Sequence, residues 1–186
     1  MATAKHTSDK LSIATYLAGE NDGQWRHEFV DGRIYAMAGA SERHNSVKLN
    51  VAGTLNAVVG DPCRVFDGDM KLRIDQPGDV RFYYPDVFVS CATDNDDAYV
   101  RRDAVLVVEV LSPTTERTDR YEKFAAYTSL PMLSEYALIE QAVPRVEMFR
   151  RRTGWRLETF EAGSSVTFES IGQTMTLDQI YRRVTF

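Results

Sequence analysis

Cysteine is scarce in this chain: Cys63 and Cys91 are the only two in 186 residues. Neither belongs to a C-x-x-C or C-x-x-H spacing, so zinc is excluded as an organising feature and two reduced thiols in a cytosolic setting are expected. Long hydrophobic runs are missing too. No apolar stretch reaches the roughly 18 residues that span a bilayer, and Met1 to Lys10 is too polar for the hydrophobic region of a signal peptide, so a cytoplasmic protein with no membrane partner is expected. Positive charge is not in excess. The 22 basic residues face 27 acidic ones, a net −5, which argues against attraction of the whole surface to nucleic acid. A local attraction stays possible, because acids that hold metal lower the total. Repeats, low-complexity segments and interdomain linkers are also lacking. Residues 1–186 therefore read as one domain, and a 44% hydrophobic content gives it ample material for a core.

What is present is an alternation of helical and strand patterns. Thr7 or Ser8 is placed to cap a short helix through Leu11, Ile13, Ala14, Tyr16 and Leu17, ended by Gly19 and the polar Asn21-Asp22-Gly23. Trp25 to Met37 alternates about Asp31-Gly32, a dipeptide suited to a tight hairpin, with Arg26, Glu28 and Val30 sharing one face. Ser41-Glu42 opens a helix whose Val47, Val51, Leu55, Val58 and Val59 recur at three-to-four spacing, and His44 lies in its first turn. Arg64 to Ile74 and Val80 to Cys91 read as two strands. A helix from Thr118 or Asp119 through Tyr127 follows, then strands over Glu135 to Glu140, Val146 to Phe149, Trp155 to Phe160 and Val166 to Phe168, and a short helix at Leu177 to Tyr181. The whole describes a mixed α/β domain.

One residue breaks the pattern. Glu109 stands inside Val105-Leu106-Val107-Val108 and Val110-Leu111, a run that reads as a strand buried on both faces. An ionised carboxylate there requires a metal, a basic partner or a retained proton, because desolvation costs several kcal/mol. A second acid, Asp86, leads the apolar Val87-Phe88-Val89, so two strands can bring both carboxylates to one sheet edge. On the helix after Glu109, Lys123 lies beside the Phe124/Tyr127 stripe, and its long stem can carry the ammonium to the same edge.

These segments carry a resemblance. Arg26-His27-Glu28-Phe29-Val30-Asp31-Gly32, Ser41 to His44, Tyr84-Pro85-Asp86-Val87, Val107 to Pro113, and Asp119 to Tyr127 with Lys123 resemble, in order, the Uma-type restriction-endonuclease family of the PD-(D/E)XK nuclease superfamily. Agreement runs from about Glu20 to the C-terminus. The resemblance implies a restriction-endonuclease-like mixed central sheet flanked by helices, and metal-dependent hydrolysis of DNA phosphodiesters. It implies Asp86, Glu109 and Glu28 as ligands of Mg²⁺ or Mn²⁺, and Lys123 as the catalytic base or charge neutraliser. The usual E-x-K spacing places lysine at position 111, where this chain has Leu111; the role passes to Lys123.

The same residues also have non-catalytic readings. From spacing alone, Glu109 and Lys123 are equally a buried ion pair fixing helix to sheet. Asp86 without the resemblance is a turn residue after Pro85. Arg145, Arg150, Arg151, Arg152 and Arg156 form the only dense basic tract, either a solvated face or a track for a DNA backbone. The expectation is a DNA endonuclease acting as a homodimer, with a non-catalytic binding protein of the same fold as the alternative.

Overall fold

The computed structural model describes residues 10–23, 25–94 and 97–186. Ser12 caps α1 (Ile13–Asp22) by accepting from the Thr15 N–H; the expected caps Thr7 and Ser8 lie outside the described residues. The helix passes Gly19, where one interior glycine costs only about 1 kcal/mol, and Glu20 in the last turn is held by contacts beyond the helix. β1 (His27–Val30) and β2 (Arg33–Ala36) form the expected hairpin. Asp31 and Gly32 both take positive φ, 47° and 81°, as its two-residue turn requires. Ser41 caps α2 (Glu42–Val58), which buries Val47, Val51 and Leu55.

The two strands expected at Arg64 to Ile74 and Val80 to Cys91 are four: β3 (Arg64–Asp67), β4 (Lys71–Gln76), β5 (Asp79–Tyr83) and β6 (Val87–Ser90). The sequence hid the breaks because apolar residues continue on both sides of them. Next come β7 (Val100–Arg101), β8 (Leu106–Leu111), β9 (Glu135–Glu140), β10 (Arg145–Arg150) and β11 (Leu157–Glu161). One sheet has the order β2-β1-β5-β4-β7, and the mixed central one has the order β11-β10-β9-β8-β6-β3. Thus the chain changes sheets at Gly68-Asp69-Met70 and back at Tyr84-Pro85-Asp86, and Asp86 sits at that second corner. The hairpin of β12 (Ser165–Phe168) and β13 (Gln173–Thr176) leads to α4 (Leu177–Ile180).

In the central sheet β8 and β9 are parallel and every other pair is antiparallel. Parallel neighbours need a crossover. Here it is the segment holding a π-helical stretch, Thr118–Lys123, that runs directly into α3 (Phe124–Tyr127). The pleat of β8 then decides what meets the crossover. Leu106, Val108 and Val110 pack with α2 and the C-terminal elements, whereas Val107 and Leu111 pack with Ala126, Tyr127 and with Leu72 and Tyr83 of the other sheet. Glu109 has the parity of Val107 and Leu111, so it enters the core between the two sheets.

The thiol expectation is overturned: Cys63 and Cys91 form a disulfide. The cause is register. β3 and β6 pair Arg64 with Ser90, so the next residues outward face each other across two adjacent strands.

Candidate active site

Lys123 is the hub. Its Nζ lies 3.0 Å from Glu28 Oε1, 3.2 Å from Glu109 Oε1 and 3.2 Å from Asp119 Oδ1. β1 delivers Glu28, β8 delivers Glu109, and the π-helical stretch places Asp119 one turn before Lys123. Glu109 is only 3% exposed. Its Oε1 also accepts from the Tyr127 hydroxyl at 2.9 Å, and its Oε2 from the Asp86 N–H at 3.2 Å. Asp86 returns the contact, its Oδ2 accepting from Val110 N–H at 2.8 Å and standing 3.1 Å from His44 Nε2. Glu28, Asp86, Glu109 and Lys123 therefore meet in one connected network at the junction of the sheets.

The electrostatics are unbalanced. Three carboxylates surround one ammonium, a fourth, Asp86, stands beside Glu109, and Asp119 Oδ1 is buried without a hydrogen bond although it faces Lys123. Burial pushes the Glu109 carboxyl well above the usual range; Lys123 opposes this, while Asp119, Asp86 and Glu28 reinforce it. Burial alone lowers the Lys123 ammonium, but Glu109, Glu28 and Asp119 outweigh it and hold its pKa well above the ordinary value. Burial followed by the charge of Glu109 raises the Tyr127 hydroxyl, so Tyr127 stays a donor.

Among the described residues no group of three or more His, Cys, Asp and Glu side chains is arranged to hold a metal ion. The expected three-acid shell differs from the geometry in one member: Glu28 turns to Lys123. Asp86 and Glu109, interlocked through each other's backbone, are left as a two-carboxylate set. That set fits a hard divalent cation such as Mg²⁺, which is held by one or two carboxylates and keeps water or phosphate in its other positions. The surplus of negative charge fits a cation as well.

Sequence reasoning missed two participants and undervalued a third. Asp119 was visible only as a helix start, although its i, i+4 spacing to Lys123 signals a shared face. Tyr127 was visible only as part of an apolar stripe. His44, in the first turn of α2, reads in the sequence as a surface residue or a phosphate contact, and its bond to Asp86 depends on how α2 packs against β6. The arginine tract is only partly a free basic face, with Arg151, Arg152 and Arg156 exposed. Arg150 is buried against Glu135 and Glu158, Arg152 pairs with Glu169, Arg145 with Glu161, and Arg151 and Arg156 bind backbone carbonyls.

Residues 13–178 match the Uma2 family, described as "Putative restriction endonuclease". The chain belongs to this family. Two relatives are uncharacterized proteins of Synechocystis. One is 33% identical over 181 residues, covering 95% of this chain and 94% of its own; the other is 35% identical over 150 residues, covering 78% and 83%. A solved structure from Anabaena variabilis, titled a putative nuclease belonging to DUF820, superposes with a TM-score of 0.68 at 16% identity. It covers 86% of this chain and 91% of its own, and shares the fold of this Uma2 member.

Proposed function

We propose that this Uma2 protein is a Mg²⁺- or Mn²⁺-dependent endonuclease that hydrolyses phosphodiester bonds of DNA, working as a homodimer. The observation that carries the reading is the surplus of carboxylates around Lys123 at the corner where Asp86 meets Glu109. Three acids on one ammonium, with Asp86 alongside as a fourth, exceed what a structural ion pair needs. Two copies suit a duplex, whose strands present two equivalent targets related by a dyad.

Asp86 and Glu109 would hold the cation. Bound there, it supplies a water of lowered pKa and neutralises charge on the phosphate. The chain's own residues do the rest. Lys123 orients the attacking water or meets the charge developing on phosphate oxygens, in a setting dry enough to strengthen that contact. Glu28 and Asp119 bracket the ammonium, which fixes where it points. Tyr127 and the Asp86 N–H fix the Glu109 carboxylate, and His44 together with the Val110 N–H fixes Asp86.

The test is plasmid nicking with Mg²⁺ or Mn²⁺. Wild type is expected to convert supercoiled to open-circular DNA only with added metal, and Asp86→Asn and Lys123→Met to leave it intact. Metal-independent nicking, or full activity in Asp86→Asn, contradicts the proposal. Binding of DNA without any nicking is the outcome for a non-catalytic binding protein, and cleavage restricted to RNA redirects the substrate assignment.

A further inference from the structure

The corner that carries Asp86 takes a neighbour away from β1. The ladder between β1 and β5 pairs Phe29 with Phe82 and Val30 with Arg81 and ends there, before the chain turns through Tyr84-Pro85-Asp86. His27, the first residue of β1, is left with an N–H and a C=O that need partners outside the ladder. α1 supplies both. Tyr16 and Glu20 stand four residues apart on one face of that helix. The Tyr16 hydroxyl donates to the His27 carbonyl at 2.7 Å, and both Glu20 oxygens accept from the His27 N–H at 3.2 Å. Glu20 Oε1 also lies 3.0 Å from His27 Nδ1, and its Oε2 accepts from the Tyr84 hydroxyl at 2.6 Å.

The parts of this brace are themselves fixed. Tyr16 is buried with its ring centroid 5.0 Å from that of Phe29 and 5.3 Å from that of Phe82, and only 3% of the Glu20 side chain is exposed. Burial, then the charge of Glu20, raises the Tyr16 hydroxyl; burial, then the bond to Glu20, raises that of Tyr84, so both stay donors. The His27 carbonyl belongs to the peptide that leads into Glu28. The pleat sends the Glu28 side chain to the other face of β1, where it meets Lys123. Among the described residues Lys123 is the sole ion-pair or hydrogen-bond partner of that side chain, so its direction follows from the backbone that carries it. The brace thus holds β1 one residue before Glu28 and the corner two residues before Asp86.

We propose that Tyr16, Glu20 and Tyr84 are positioning residues of the active site, which set where Glu28 meets Lys123 and where Asp86 stands, and which touch neither metal nor DNA. The inference rests on the nuclease reading and adds to it the residues that keep the site in register from behind the sheet.

The experiment is plasmid nicking by the full chain in Mg²⁺, read as kcat and KM for DNA at a temperature well below every melting point, with thermal melting of each variant. Tyr16→Phe and Tyr84→Phe each delete a hydroxyl and keep the ring, and Glu20→Gln alters the acceptor that joins the two strands. Glu20→Gln is expected to lower kcat about tenfold and each tyrosine variant by less, all with unchanged KM. Tyr181→Phe is the control. It deletes a hydroxyl that bonds Glu140 and Arg145 within the core on the α2 side of the central sheet, and wild-type kcat is expected. Wild-type kcat in the folded tyrosine variants, or an equal loss in Tyr181→Phe, overturns the brace and leaves the nuclease reading standing. Raised KM at unchanged kcat overturns it too, because that outcome puts these residues against DNA. Absence of metal-dependent nicking by wild type overturns the nuclease reading and the brace with it.

Discussion

Among the described residues two buried cations, Arg150 and Lys123, are each wrapped by three carboxylates, and only one wrapping has a second cation. Arg150 meets Glu135, Glu158 and Glu169 and donates to the Thr167 carbonyl. Both oxygens of Glu135 are taken, Oε1 by Arg150 and the Glu169 N–H, Oε2 by the N–H and hydroxyl of Ser170. Arg152 supplies a second guanidinium to Glu169. Around Lys123, by contrast, Glu28, Glu109 and Asp119 share one ammonium with no second lysine or arginine, and Asp86 adds a fourth carboxylate beside Glu109. Burial of a charged pair is common to both regions. The acid left without a second cation is what distinguishes a place for chemistry from a clamp between β9, β10 and the C-terminal hairpin.

The sharpest way to break this comparison is to remove each hub. Arg150→Met leaves Glu135 buried without its guanidinium, and unfolding by denaturant is expected to show a loss of about 3–5 kcal/mol, with cleavage per folded molecule unchanged. Asp86→Asn should do the reverse. Nicking is expected to fall by more than about 100-fold, since even outer-shell partners of a metal are worth 10 to 100-fold, while stability moves by about 1 kcal/mol or less. Next comes Tyr127→Phe, which deletes one hydrogen bond to Glu109. Stability is expected to drop by about 1 kcal/mol, and the rate of nicking to fall more than that destabilisation accounts for. The smallest effect belongs to Arg152→Ala, an exposed pair, for which no resolvable change in Tm is expected and a clear drop would mean the Arg150 clamp extends to the surface.

Much of this architecture was legible in the chain, and the gaps have physical causes. The Asp31-Gly32 turn, the α2 periodicity and the apolar run of β8 are local signals, and each appears where expected. Glu109 announced itself because charge in such a run is costly. The sheet changes at Gly68 and Pro85 were invisible, since a strand that swaps sheets keeps its apolar character on both sides. β13 escaped because Gln173-Thr174-Met175-Thr176 has a single buried residue. The disulfide depends on a register between β3 and β6 that no spacing along the chain reveals. At the site, the four acids and bases were nameable one by one. That Glu28 turns to Lys123, and that Asp119 joins it, follows from the π-helical stretch and the crossover above β8, both of which are tertiary facts.

The central claim is that Asp86 and Glu109 together hold one divalent cation beside Lys123. Calorimetric titration of Mn²⁺ into wild type, Asp86→Asn and Arg150→Met tests it without any need for turnover. One binding event in wild type and in folded Arg150→Met, absent in Asp86→Asn, is the expected result. Equal heats in wild type and Asp86→Asn would contradict the account.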